Sequence, residues 1–131
     1  MHLDTNTLGD TLARVAGPDL RLALLFGSQA SEHARPDSDI DIGILCDAPL
    51  NTGQRTALER AVTQAFGREL DLVDLYHAPY PITGEAVRGH RLLGDVATHA
   101  ALTTRALVDR EDFGPLHDRL INDRLDAWLR T

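Results

Sequence analysis

The chain has 131 residues, a quarter of them charged, and a formal net charge of −7. That length makes one domain, able to bury about two-thirds of the surface its unfolded chain exposes without disulfide or metal staples. All thirteen basic residues are scattered arginines, which argues against direct nucleic-acid binding, because neutralising phosphate needs clustered cations.

A single cysteine, Cys46, excludes an internal disulfide, and no apolar run is long enough to span a membrane. The opening MHLDTNTLGD lacks the basic start and apolar stretch of a secretory signal, so a cytoplasmic protein is expected.

Thr5 or Thr7 is placed to cap a first helix that carries Leu8, Leu12 and Val15 on one side and ends at Gly17-Pro18. Leu20 to Phe26 reads as the first strand, and its Leu-Ala-Leu-Leu-Phe run implies burial on both faces. The strand ends at Gly27-Ser28, a pair suited to a tight turn into a helix N-terminus. Ala34 to Ser38 is a loop before a second strand, Ile40 to Leu45.

Asp47 to Gly53 forms the next loop, and Gln54 to Phe66 has Ala57, Leu58, Ala61, Val62, Ala65 and Phe66 at helical spacing. After Gly67, Glu69 to Leu75 is a third strand. Pro79, Pro81 and Gly84 break structure before a short helix or turn through Val87, and a brief strand follows around Arg91 to Leu93. Asp95 to Arg110 is helical, with Val96, Ala100, Thr103 and Leu107 on one side.

Gly114-Pro115 stops that helix, and Leu116, Leu120, Leu125, Trp128 and Leu129 mark a last amphipathic one, which packs on its own domain or meets a partner. The expected fold is α+β: a small mixed sheet with helices packed on it. It forms a single domain over 1–131, with residues 95–130 as an appended helical part.

The chemistry concentrates between Phe26 and Leu45. In a strand from Ile40, a period of two puts Asp39 and Asp41 on one face and Ile40, Ile42 and Ile44 on the other. Two like charges about 7 Å apart along a strand repel, and a divalent cation offsets the repulsion. Mg²⁺ suits such carboxylates because it keeps several waters and takes its remaining ligands from substrate phosphates; two ions about 3.5 to 4 Å apart can activate an attacking oxygen and neutralise a leaving one.

Gly27 lets the backbone come close to a ligand, and amides opening a helix at Ser28 can face phosphate oxygens. Asp71 and Asp74 fall on opposite faces of the third strand, so only one can join Asp39 and Asp41. Asp71, flanked by Leu70 and Leu72 inside the strand, is favoured over Asp74 at the strand end.

Other conspicuous residues read as structural. The six histidines show no i, i+4 pair and no cysteine partner, which argues against zinc. Cys46 reads as a small buried hydrophobe. Ser28 lacks the Gly-x-Ser-x-Gly surroundings of a nucleophile, and neither a Walker A sequence nor a dinucleotide fingerprint is present.

Gly27-Ser28, ten residues and then Asp39-Ile40-Asp41 resembles the GS-x10-DxD signature of the polymerase-beta-like nucleotidyltransferase superfamily, and the short chain resembles its minimal nucleotidyltransferase (MNT) branch. The segment 69-ELDLVDL-75 looks like that family's later strand that carries a third carboxylate, and 88-RGHRLLGD-95 followed by a long helix is similar to its C-terminal half, so the likeness covers roughly Leu20 to Asp109. It implies catalytic and metal-holding roles for Asp39, Asp41 and Asp71, with Asp71 as the first Asp of a DLV triplet.

It also implies nucleotide contacts from Gly27, Ser28 and Ser38, and from Arg35, the nearest cation left where Gln29 and Ser31 stand in place of arginines that many family members carry in the helix after Gly-Ser. The activity implied is Mg²⁺-dependent transfer of AMP from ATP to a hydroxyl. For an MNT antitoxin that hydroxyl is a tyrosine of a HEPN-type RNase toxin, which would be the partner. Two other readings remain: a nucleotidyltransferase acting on small molecules such as aminoglycosides, for which a homo-oligomer would supply the missing wall of an acceptor pocket, and a non-catalytic antitoxin that covers its HEPN partner.

Overall fold

Two apolar segments, β1 (Leu20–Phe26) and β2 (Ile40–Cys46), pair antiparallel at the centre of a four-stranded sheet. The structure, a computed structural model, describes residues 3–27 and 39–111. β3 (Leu70–Asp74) runs parallel to β2, and β4 (His90–Leu93) runs antiparallel to β1, giving the order β3-β2-β1-β4. The result is the mixed α+β sheet that the sequence predicts.

Central position explains the composition of β1 and β2, since each must bury both faces. Ala23, Leu25, Ile40, Ile42 and Ile44 enter one core, where Leu8 and Leu12 of α1 (Thr5–Ala16) meet Leu58 and Val62 of α2 (Thr52–Phe66). Leu22, Leu24 and Phe26 enter a second core on the opposite face. Ala86 of α3 (Ile82–Ala86) and Leu102 of α4, helical over 96–111, complete it together with Leu75. The sheet is therefore covered on both sides.

Helix ends depend on polar groups that apolar periodicity does not display. α1 is capped by Asp4, not by Thr5 or Thr7: one Asp4 oxygen accepts from the Asn6 and Thr7 amides, and the other accepts the Thr7 hydroxyl at 2.8 Å. A carboxylate one residue upstream is the stronger acceptor, so Thr7 acts as donor inside the helix. α2 begins two residues before the predicted Gln54, because Asn51 and Gln54 form a reciprocal capping box. Gly67, at φ 67°, closes α2 in the left-handed conformation.

α4 corrects the predicted apolar stripe. Val96 is 66% exposed and Leu107 55% exposed, while Leu102 and Ala106 are buried. Two polar side chains set this rotation: Arg105 donates to the Leu75 carbonyl at 2.8 Å, and the His99 ring bonds the Val87 carbonyl at 2.9 Å. Each gives a backbone carbonyl a side-chain partner across elements.

The predicted loop Ala34 to Ser38, the Gly114-Pro115 stop and the last helix with Trp128 lie outside the described residues. No helix among the described residues is long and apolar enough to cross a membrane. The capping box gives the first prediction. Asn51→Ala should lower unfolding stability by about 1 kcal/mol, read as a shift in urea midpoint at unchanged slope.

Candidate active site

Burial of Ile40, Ile42 and Ile44 in the core beneath α1 and α2 orients Asp41 to the other face of β2. Register then decides what Asp41 meets. It lies opposite Phe26, the last residue of β1, and opposite Asp71 on the parallel strand β3. Paired residues on adjacent strands are about 4.8 Å apart and project to the same side, so Asp41 and Asp71 stand face to face. Asp39 sits one residue before β2, exposed, with its charge within reach of Asp41.

The Asp41 carboxyl titrates at about 6, well above the ordinary 3.8. Burial is the largest cause, followed by the Asp71 charge, a hydrogen bond shared with Asp71, and the charges of Asp39 and Glu85. Without a cation, the proton held between Asp41 and Asp71 relieves the repulsion. A hard divalent ion does the same while leaving both groups ionised, and an all-oxygen set of this kind suits Mg²⁺.

Among the described residues, no three His, Cys, Asp or Glu side chains come together closely enough to hold a metal ion, so the three expected acids do not form a ready-made three-ligand site. Asp41 and Asp71 form an open pair with Asp39 nearby, an arrangement in which water and substrate oxygens must complete any coordination shell.

Gly27 has a second reason to be glycine besides the turn. Its φ is 70°, and a Cβ built there would run into the Asp41 carboxylate. Only a bare backbone lets the end of β1 pass beside the acid. Ser28, Arg35 and Ser38, the other predicted nucleotide contacts, lie outside the described residues.

The choice between Asp71 and Asp74 is a matter of hydrogen bonding. Asp74 accepts from the Leu50 amide at 2.8 Å and from the Tyr76 amide at 3.0 Å, so both its oxygens are committed to holding loops. Asp71 is the acid that faces Asp41. Cys46 is buried, and burial raises its thiol pKa, which leaves it an unreactive hydrophobe. Sequence reasoning missed Glu85, which α3 brings within electrostatic range of Asp41 across more than forty residues of chain. No local spacing signals it.

The profile of the family described as Polymerase beta, Nucleotidyltransferase matches residues 8–96, more than half of the chain. A curated relative, Protein adenylyltransferase MntA from Shewanella oneidensis strain MR-1, is 35% identical over 78 residues, which are 59% of this chain and 56% of that protein. The matched region thus spans just over half the relative's length. Among solved structures, a chain of a mutant MntA-HpeT toxin-antitoxin crystal structure superposes with a TM-score of 0.82 at 27% identity, covering 94% of this chain and 99% of that one. A toxin-antitoxin crystal structure with AMP-PNP gives 0.78 at 27% identity, with the same coverage.

Two predictions follow from the Asp41 environment. The folded-state pKa lies above the unfolded one, so the metal-free protein binds an extra proton on folding; that stabilisation is full below pH 3.8 and is lost as pH rises through about 6. Asp41→Asn should therefore be more stable than the parent at pH 7.5 in chelator, by about 1 kcal/mol after allowing for solvent screening, with the gain shrinking toward zero near pH 4. Gly27→Ala should lower stability by about 2 kcal/mol in urea denaturation, from the positive φ and the collision with Asp41 together.

Proposed function

Because the chain belongs to the polymerase beta nucleotidyltransferase family, we propose that it is a Mg²⁺-dependent adenylyltransferase that moves AMP from ATP onto a tyrosine hydroxyl of a HEPN-type toxin, and so acts as an antitoxin. The observation that carries this reading is the Asp41–Asp71 pair, facing across β2 and β3 beside the Gly27 turn. It is supported by the adenylyltransferase relative and by the toxin-antitoxin neighbours, one of them with an ATP analogue.

Asp39, Asp41 and Asp71 are the residues that would hold Mg²⁺, with two ions implied by three carboxylates facing a triphosphate. When bound, the metal supplies neutralisation of triphosphate charge and acidifies the acceptor hydroxyl. The chain's own residues do the rest. Gly27 brings bare backbone to the phosphates, and Ser28, Arg35 and Ser38 are the further nucleotide contacts in this reading.

Asp71, the exposed member of the pair, takes the acceptor's hydroxyl proton. The freed oxygen forms a bond to the α-phosphorus in line as the bond to the bridging oxygen breaks, and pyrophosphate leaves. Positioning and charge stabilisation provide most of the acceleration. Asp74 takes no part, since its oxygens hold the Leu50 and Tyr76 amides.

The test is to incubate the chain, co-produced with its toxin, with ATP labelled at the α-phosphate and with Mg²⁺. Label should accumulate on the toxin. Asp39→Asn, Asp41→Asn, Asp71→Asn or added chelator should each reduce it at least about a hundredfold, whereas Asp74→Asn should keep the rate within about threefold while lowering stability. A stable complex that never becomes labelled would show that the chain neutralises its partner by covering it, and the catalytic assignment would be wrong.

A further inference from the structure

The catalytic acids do not use the cavity between α3 and α4. Its volume is about 320 Å³, within the range of small-ligand pockets, and Tyr80, Glu85, Val87, Arg88, Thr103 and Leu107 are among its lining residues. Three observations join it to the site. Glu85 belongs to the cavity wall, and its charge also reaches Asp41. α3 packs on β1, and Gly89, just after Arg88, lies so close to Leu25 and Phe26 that a Cβ would collide with them. The cavity wall therefore adjoins the end of β1 that leads into Gly27.

The side of the sheet also matters. Asp71 lies on β3, to one side of β2, whereas β1, Gly27 and the α3–β4 segment lie to the other. If Asp71 marks the acceptor side, the cavity is on the donor side. Its wall has an aromatic ring and aliphatic side chains for a planar base, with Arg88 as donor and the Thr103 hydroxyl, whose proton goes to the His99 carbonyl, as acceptor. The same wall carries Glu85, whose charge reaches Asp41 and whose carboxylate is an acceptor-only group of the kind that recognises sugar hydroxyls.

We propose that the cavity between α3 and α4 receives the base and ribose of the donor nucleotide, and that Glu85 accepts hydrogen bonds from the ribose hydroxyls, selecting ribonucleotides over deoxyribonucleotides. This assignment rests on the adenylyltransferase reading above. Glu85 acts on donor choice and leaves phosphate binding to the Gly27 turn and the aspartates.

Calorimetric titration of the full chain with the Mg²⁺ complexes of ATP, 2′-deoxy-ATP and tripolyphosphate tests it. The parent should bind ATP about tenfold more tightly than 2′-deoxy-ATP, the size expected for one hydrogen bond to a charged acceptor. In Glu85→Ala that ratio should fall to within about twofold through weaker ATP binding, with tripolyphosphate bound at least as well as by the parent. A parent that binds both nucleotides equally overturns the proposal and leaves the adenylyltransferase reading standing, as does a variant that keeps the tenfold preference. A parent that binds none of the three overturns both.

Discussion

The rest of the structure is arranged around a repulsion. Asp41 and Asp71 are held opposite each other on parallel strands, and in the absence of a cation Asp41 keeps its proton up to about pH 6. Neither acid can turn away, because each alternates with buried neighbours. Ile40 and Ile42 flank Asp41, and Leu70 and Leu72 flank Asp71, all packed into the core under α1 and α2. Sliding either strand by one residue would expose those side chains and bury the carboxylates, so hydrophobic burial fixes the charge geometry.

The second core serves a different end. α3 and α4 cover the face onto which Asp41 and Asp71 project, with an apolar cluster that runs through Leu22, Leu24 and Leu75 to Phe26, the residue paired with Asp41, while Asp71 and Glu85 stay exposed. One face is thus sealed by packing and the other is sealed only in part, leaving the acids and Glu85 accessible along one edge. Gly27 belongs to the same design, since any side chain there would occupy the space of the Asp41 carboxylate. Gly27 and the Asp41 end of β2 are therefore sterically one unit.

Much of this could be read in the sequence because its signals are local. The double-sided burial of β1, the alternation in β2, the Leu8 and Leu12 face of α1 and the order of elements all depend on neighbours within a few residues. What could not be read depends on distant partners. The stripe of α4 was misplaced because Arg105 and His99 reach carbonyls at Leu75 and Val87, and polar anchors of that kind leave no mark in apolar periodicity. The Asp4 cap was missed because a threonine just inside the helix carries the same signal as one capping it. Alternation showed that only one of Asp71 and Asp74 could join Asp41, but not which, and the role of Asp74 in holding the Leu50 and Tyr76 amides needed the fold.

Charge at the two scales of the molecule points the same way. The whole chain carries −7, and Asp39, Asp41, Asp71 and Glu85 cluster around a single strand end. A bare triphosphate approaching that edge would meet like charge from both the site and the net charge of the chain, whose arginines are scattered along the sequence. Such a site favours a polyanion that arrives with its own cation, because the ion turns the carboxylates from a barrier into ligands.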